Sequence, residues 1–211
     1  MKDQLEYLED LKEIRSMMER SAKFISLNAI SGVFVGIIAL FGAAAAYIYS
    51  NGDFVETRTS SDIFSNTHDL NLITFYIVDA IATLAAAVIV SVLLSVRKAR
   101  KQNLPLWDKS SKLLVINMMV PLSVGGIFCL ILIFQGFYVL VAPCTLLFYG
   151  LALYNSSKYT MKEIKYLGIS EMALGLISTL FLGMGFIFWV IGFGFLHIIY
   201  GMIYYFKYER Q

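Results

Sequence analysis

Charged side chains are scarce in this chain of 211 residues: 15% are Asp, Glu, Lys or Arg, while 58% are hydrophobic. That balance excludes an ordinary water-soluble globule and reads as an integral membrane protein. Histidine and cysteine are scarcer still, with two of each. His68 sits in a polar stretch and His197 in an apolar one, which excludes a haem held within the membrane by two histidines of one chain. No HExxH spacing and no third ligand provide for zinc hydrolysis. Cys129 and Cys144 lack metal-ligand spacing and read as two small buried residues, although both are similarly far from the turn Gln135-Gly136 and a contact between them is geometrically allowed. The serines of SGV (31–33) and GIS (168–170) lack the base and oxyanion site that a serine nucleophile needs. With no strand evident, no strand–loop–helix unit can cradle a phosphate. The expectation is a non-enzymatic protein with no metal and no cofactor.

What is present is six apolar stretches, each long enough for the roughly 20 helical residues that cross a bilayer. They lie near 24–50, 70–96, 113–134, 137–154, 163–182 and 186–206. The fold class expected is all-α: a polytopic membrane bundle of six transmembrane helices in three hairpins, 1–2, 3–4 and 5–6, occupying residues 24–206. Before it, residues 1–23 place Leu5, Leu8, Leu11, Ile14, Met18 and Ala22 on one stripe of an amphipathic helix, with acids early and bases late as the helix dipole prefers. This segment either lies along the membrane surface and the cytoplasmic loops or docks another protein. A cleavable signal peptide is not expected, because a charged segment precedes an apolar run too long for a signal core. Residues 207–211 form a short tail.

The small net charge of +2 conceals a polarised molecule. Sixteen of the seventeen basic residues fall in segments 1–23, 97–112, 158–165 and 207–210; only Arg58 lies in the loop 51–69, among Asp53, Glu56, Asp62 and Asp69. Positive residues stay on the cytoplasmic side during insertion, so both termini are expected in the cytoplasm and the number of crossings is even. Tyr159, Tyr166, Tyr204, Tyr205 and Trp107 on the inside, and Tyr47, Tyr49, Tyr138 and Trp189 toward the outside, fit interfacial aromatic belts. Membrane lipid is the expected partner. Nucleic acid is not, since no recognition motif accompanies the basic residues.

The polar centre is read from the last two stretches. Glu171 and His197 each lie 13 residues from the turn at Met184, or about 20 Å at helical rise, and so share one depth. Gly168, Glu171, Gly175 and Ser178 recur at helical spacing, as do Gly194, His197, Gly201 and Tyr204. Small residues permit close helix packing in lipid and polar ones hydrogen-bond across it, so these stripes are expected to face each other or a shared interior cavity. An isolated charge there is costly; Glu171 and His197 should pair or exchange a proton so that both are neutral. Asp79, Asn28 with Gly32 and Gly36, and Asn117 with Pro121 and Gly125 extend a polar interior. Pro121 leaves the Asn117 carbonyl without its helical donor. The centre is either a hydrogen-bonded lock between helices or a proton-responsive or ligand-binding site, and in the second case Asp79, Glu171 and His197 mark the path of a small proton-coupled transporter or channel.

The stretches EMALGLISTLFLGMGFIFWVIGFGFLHIIYGMIYYFKYER and LKEIRSMMERSAKFISLNAISGVFVGIIALFGA look like the two ends of an uncharacterised group of bacterial six-helix membrane proteins, which implies a bacterial inner membrane. More remotely, LGLISTLF followed by GFGFLHIIYGMI resembles the paired-helix repeat of HdeD-type acid-resistance membrane proteins, with GMG in place of that repeat's polar turn. A role in envelope stress is what that resemblance implies.

Overall fold

A computed structural model describes residues 29–52, 67–101, 107 and 109–208. The segment 1–23, Asn28 and most of the loop 51–69 lie outside the described residues. Every element of regular structure within them is helical: α1 (Ala29–Ser50), α2 (Thr67–Lys101), α3 (Lys109–Phe134), α4 (Val141–Ser156), α5 (Lys162–Leu180), α6 (Gly185–Trp189) and α7 (His197–Tyr208). Single 3-10 turns, Tyr138–Leu140 and Ser157–Tyr159, flank α4. A π-helix, Val190–Leu196, joins α6 to α7, so that 185–208 is one continuous rod, the last helix.

Among the described residues, five segments are long and apolar enough to cross a membrane: Ile30–Ser50, Leu70–Lys101, Ser110–Phe134, Tyr138–Tyr159 and Gly185–Lys207. α5 is the exception, because Lys162, Glu163, Lys165 and Glu171 fall within its 19 residues. The apolar runs set the helices but not their ends. α2 continues through the basic residues Arg97 to Lys101, which favour helix and suit its C-terminal dipole, and its first turn includes His68. α7 likewise continues into the expected tail as far as Tyr208. The chain turns out of α3 at Gly136, whose φ of 80° suits glycine. There Phe137 N–H donates to Leu132 C=O and Gly136 N–H to Ile133 C=O, the pair of bonds that closes a helix C-terminus.

The interior is built mostly from small residues. Ala39, Ala43, Ala46, Ala99 and Ala152 are buried, and Leu72 and Leu146 are the large aliphatic side chains most completely enclosed among the described residues. Large side chains point outward instead, such as Val78, Ile81, Leu84 and Val88 on α2 and Ile116, Val120, Val124 and Ile127 on α3. So wide an apolar surface is tolerable in lipid and not in water.

α1 packs on α2 and, on its other side, on the last helix; α4 packs on α3 and most extensively on α5. Glycines decide both close approaches. A Cβ on Gly36 would lie 2.6 Å from Gly194 O, and one on Gly32 would lie 3.2 Å from the Gly201 Cα. A Cβ on Gly168 would lie 2.7 Å from Gly150 O, and one on Gly175 2.8 Å from Leu147 Cγ. The small stripes of the fifth and last helices therefore do not face each other: the first seats on α4 and the second on α1. Periodicity locates a stripe, whereas the partner depends on which neighbouring helix also lacks side chains there, and Gly150 and Gly32 supply that.

Candidate functional site

Glu171 and His197 nevertheless meet, at the border where α4, α5 and the last helix come together. Glu171 is fully buried and His197 is 3% exposed. The carboxyl Oε1 lies 3.4 Å from His197 Nδ1, and neither carboxyl oxygen makes a hydrogen bond of good geometry. The ring is held by other groups. Nδ1 is 3.0 Å from Gly192 C=O, and Nε2 is 2.8 Å from Tyr149 Oη. A carbonyl oxygen can only accept, so Nδ1 carries a hydrogen and donates to it; in the neutral ring Nε2 then accepts from the phenol O–H.

The π-helix makes this arrangement possible. Its wider turn precedes His197 directly and lets the ring reach back to the carbonyl five residues earlier. Gly192 also makes room for the carboxyl: a Cβ there would stand 2.6 Å from Glu171 Oε2 and 2.5 Å from Leu146 Cδ2. Phe193 stacks beside the imidazole with ring centroids 6.0 Å apart, and Tyr149 and Trp189 each lie 4.9 Å from Phe193.

The Tyr149 phenol, the His197 ring and the Glu171 carboxyl can each exchange roles, whereas the Gly192 carbonyl only accepts. The phenol oxygen donates to a neutral ring and can turn to accept from a protonated one, while the carboxyl beside Nδ1 can balance a positive ring or hold the proton itself. Two further contacts bind α5 to α7 toward the Lys101 end: Ser170 Oγ with Tyr200 Oη at 3.1 Å, and Lys207 Nζ donating to Glu163 Oε1 at 2.6 Å.

The other expected members of the centre are elsewhere. Tyr204 is buried two turns past His197, its ring 5.9 Å from Lys98 Nζ, and belongs to the Lys101 end of the bundle. Asn117 Nδ2 donates to Leu113 C=O of its own helix at 2.8 Å, because α3 packs on α4 and does not border the last helix closely. Asp79 lines a cavity of about 240 Å³ near the Asn51 end, with Tyr76, Tyr138, Thr145, Phe186 and Trp189 and otherwise aliphatic walls; neither Glu171 nor His197 lines it. Trp189, Phe193 and Tyr149 stand between that cavity and His197. Tyr138 is buried and Trp189 half-buried, whereas Tyr47, Tyr49, Tyr166 and Trp107 are exposed. Cys129 and Cys144 are free thiols, the first buried and the second half-buried.

Tyr149 and Gly192 were not among the residues expected from sequence. Tyr149 had a usable signal, since it lies 13 residues past Gly136, the same count that places Glu171 and His197 at one depth. Among the described residues no cluster of three or more His, Cys, Asp or Glu side chains is arranged to hold a metal. Compared with protein-family models, with curated proteins and with solved structures, the chain gives no match.

Proposed function

We propose that this is a non-enzymatic six-span membrane protein whose buried Tyr149–His197–Glu171 centre responds to protonation, and that it serves envelope stress or partner binding at the bacterial inner membrane with both termini in the cytoplasm. The observation that carries the reading is the fully buried Glu171 carboxyl, 3.4 Å from His197 and without a hydrogen bond of its own. Ionisable groups at membrane depth are costly, and those that persist there often serve as proton sites.

The sixth crossing is α5. Lys162 and Glu163 begin it, Glu163 is paired with Lys207, and Lys165 lies over the Tyr154 ring at 5.7 Å, so its charges gather at the Lys101 end apart from Glu171. Its 19 residues span about 28 Å at 1.5 Å per residue, close to the hydrocarbon thickness of about 30 Å. The groups facing the imidazole are Tyr149 from α4 and Glu171 from α5. The envelope role is what the likeness to the HdeD-type repeat supports, and segment 1–23, amphipathic by its sequence, is the stretch proposed to take a protein partner.

pH-difference infrared spectroscopy of the protein in lipid tests this reading. A carboxyl band should titrate, disappear in Glu171→Gln and persist in Asp79→Asn. Absence of a titrating band, or its survival in Glu171→Gln, would remove the proton-responsive centre. The Asp79 cavity favours a second reading, a small transporter or channel. A path from Asp79 to Glu171 and His197 then requires Trp189 and Phe193 to turn aside.

A further inference from the structure

We infer that the Asp79 cavity is a binding site for a small lipophilic organic cation, one positive charge of the quaternary-ammonium kind carried on a compact apolar body. The inference does not depend on the proton-responsive centre. Among the described residues Asp79 is the sole charged one lining the cavity, and no Lys, Arg or His among them shares the lining. The walls are aromatic and aliphatic: Tyr76, Tyr138, Phe186 and Trp189 offer ring faces and edges, and Ala43, Ala142 and their neighbours keep it open. The hydroxyl hydrogen of Thr145 already goes to Ala142 C=O at 2.7 Å, so this side chain turns only lone pairs to other groups.

The chemistry selects among ligands. A bare divalent ion needs six or more oxygen ligands, and one carboxylate with a few hydroxyls on apolar walls does not supply them. A neutral hydrocarbon would fill the space but leave a carboxylate facing it at a desolvation cost. A weakly hydrated organic cation satisfies both features, since its charge meets the carboxylate and its substituents pack on aromatic faces, where cation–π attraction strengthens as water is excluded. The cavity volume of about 240 Å³ is below the roughly 300–1,000 Å³ of sites for drug-sized molecules, which limits the ligand to a cation bearing about one ring.

The test uses the full-length protein in lipid nanodiscs. The chain has two tryptophans; Trp189 lines the cavity and Trp107 does not, so Trp107→Phe leaves Trp189 as a reporter. Benzyltrimethylammonium is titrated against its neutral isostere neopentylbenzene, followed by Trp189 fluorescence and by calorimetry. Saturable binding of the cation is expected, weakened about tenfold or more by Asp79→Asn, with no such effect of the substitution on the neutral isostere. If Asp79→Asn does not fold, Ala142→Phe, which fills the cavity from α4 and leaves the carboxylate in place, should abolish cation binding. An affinity unchanged by either substitution, equal effects of Asp79→Asn on the cation and the isostere, or no saturable binding to the folded protein would overturn the inference.

Discussion

Removing the Tyr149 hydroxyl should weaken the protein more specifically than removing the Glu171 carboxyl, although Glu171 is the more conspicuous partner of His197 in the sequence. The phenol oxygen is at hydrogen-bond distance from Nε2, 2.8 Å, whereas Glu171 Oε1 is 3.4 Å from a nitrogen whose hydrogen already points at Gly192 C=O. Tyr149→Phe strands Nε2 in a place closed to water, since His197 is 3% exposed. Leaving a buried acceptor unsatisfied costs about 1–3 kcal/mol in soluble proteins, while interhelical hydrogen bonds in one membrane protein average about 0.6 and reach about 1.7 kcal/mol. The dryness of the site places the Tyr149–His197 coupling near the upper end of the membrane range, about 1 kcal/mol or somewhat more. Opposite full charges on Glu171 and His197 at 3.4 Å would attract by about 5 kcal/mol at an effective dielectric near 20, before desolvation opposes it. A small coupling therefore identifies a neutral pair.

Two double-mutant cycles separate these terms: Tyr149→Phe with His197→Gln, and Glu171→Gln with His197→Gln, each read by unfolding in lipid bicelles at pH 5 and pH 8. The Tyr149–His197 coupling is expected at both pH values. The Glu171–His197 coupling should be the smaller of the two at one pH at least, and should change between them if that pair carries the exchangeable proton, as proposed. Strict additivity of Tyr149→Phe and His197→Gln at both pH values would refute the hydrogen bond's role. A Glu171–His197 coupling that is larger at both pH values and independent of pH would replace the neutral, proton-exchanging pair with a fixed ion pair.

Two further outcomes are expected. Gly36→Val should cost about 1–3 kcal/mol by overpacking, because a Cβ there would stand 2.6 Å from Gly194 O and 2.7 Å from Ile198 Cγ1, whereas Gly126→Ala, with nothing within 4 Å, should be neutral or slightly stabilising; the same unfolding assay checks both, and equal effects would mean that α1 and the last helix do not rely on close approach. A cysteine introduced at Ser60 should react with an impermeant maleimide on intact cells, and one at Lys101 should react only after permeabilisation. The reverse pattern would invert the topology.

Much of the fold was legible because the bilayer constrains it so strongly. Apolar runs of at least 18 residues must be helices if they cross lipid, since no other single segment satisfies its own backbone there. Depth was legible too, as residues equally far from a tight turn lie level with each other. Rotation about each helix axis was not. Asp79, Asn117 and Tyr204 each sit on a helix that contributes to the bundle, yet Asp79 faces a separate cavity, Asn117 bonds its own helix and Tyr204 lies at the Lys101 end. Whether a polar residue joins a centre depends on which neighbour its helix packs against, and that is decided by pairs such as Gly150–Gly168 and Gly32–Gly201 on separate helices. The π-helix had no sequence signature beyond the glycines of VIGFGFL, because its wider turn is stabilised by what it admits, the Glu171 carboxyl beside Gly192 and the reach of His197 back to the Gly192 carbonyl.

The position of the centre gives it mechanical weight. α1 packs on both α2 and the last helix on one side, and α4 packs on both α3 and α5 on the other. Tyr149 and Glu171 belong to the second group and His197 to the first, so their contacts join the two. Ser170–Tyr200 and Glu163–Lys207 join them again toward the Lys101 end, but Lys207 is exposed, and its ion pair with Glu163 is therefore screened and weakly held. The buried contacts at Tyr149, His197 and Glu171 have no such screening. Moving one proton among them changes which group donates to which across that border. On the proposed reading, that exchange acts on how the two groups of helices are held together, not on a residue already exposed to solvent.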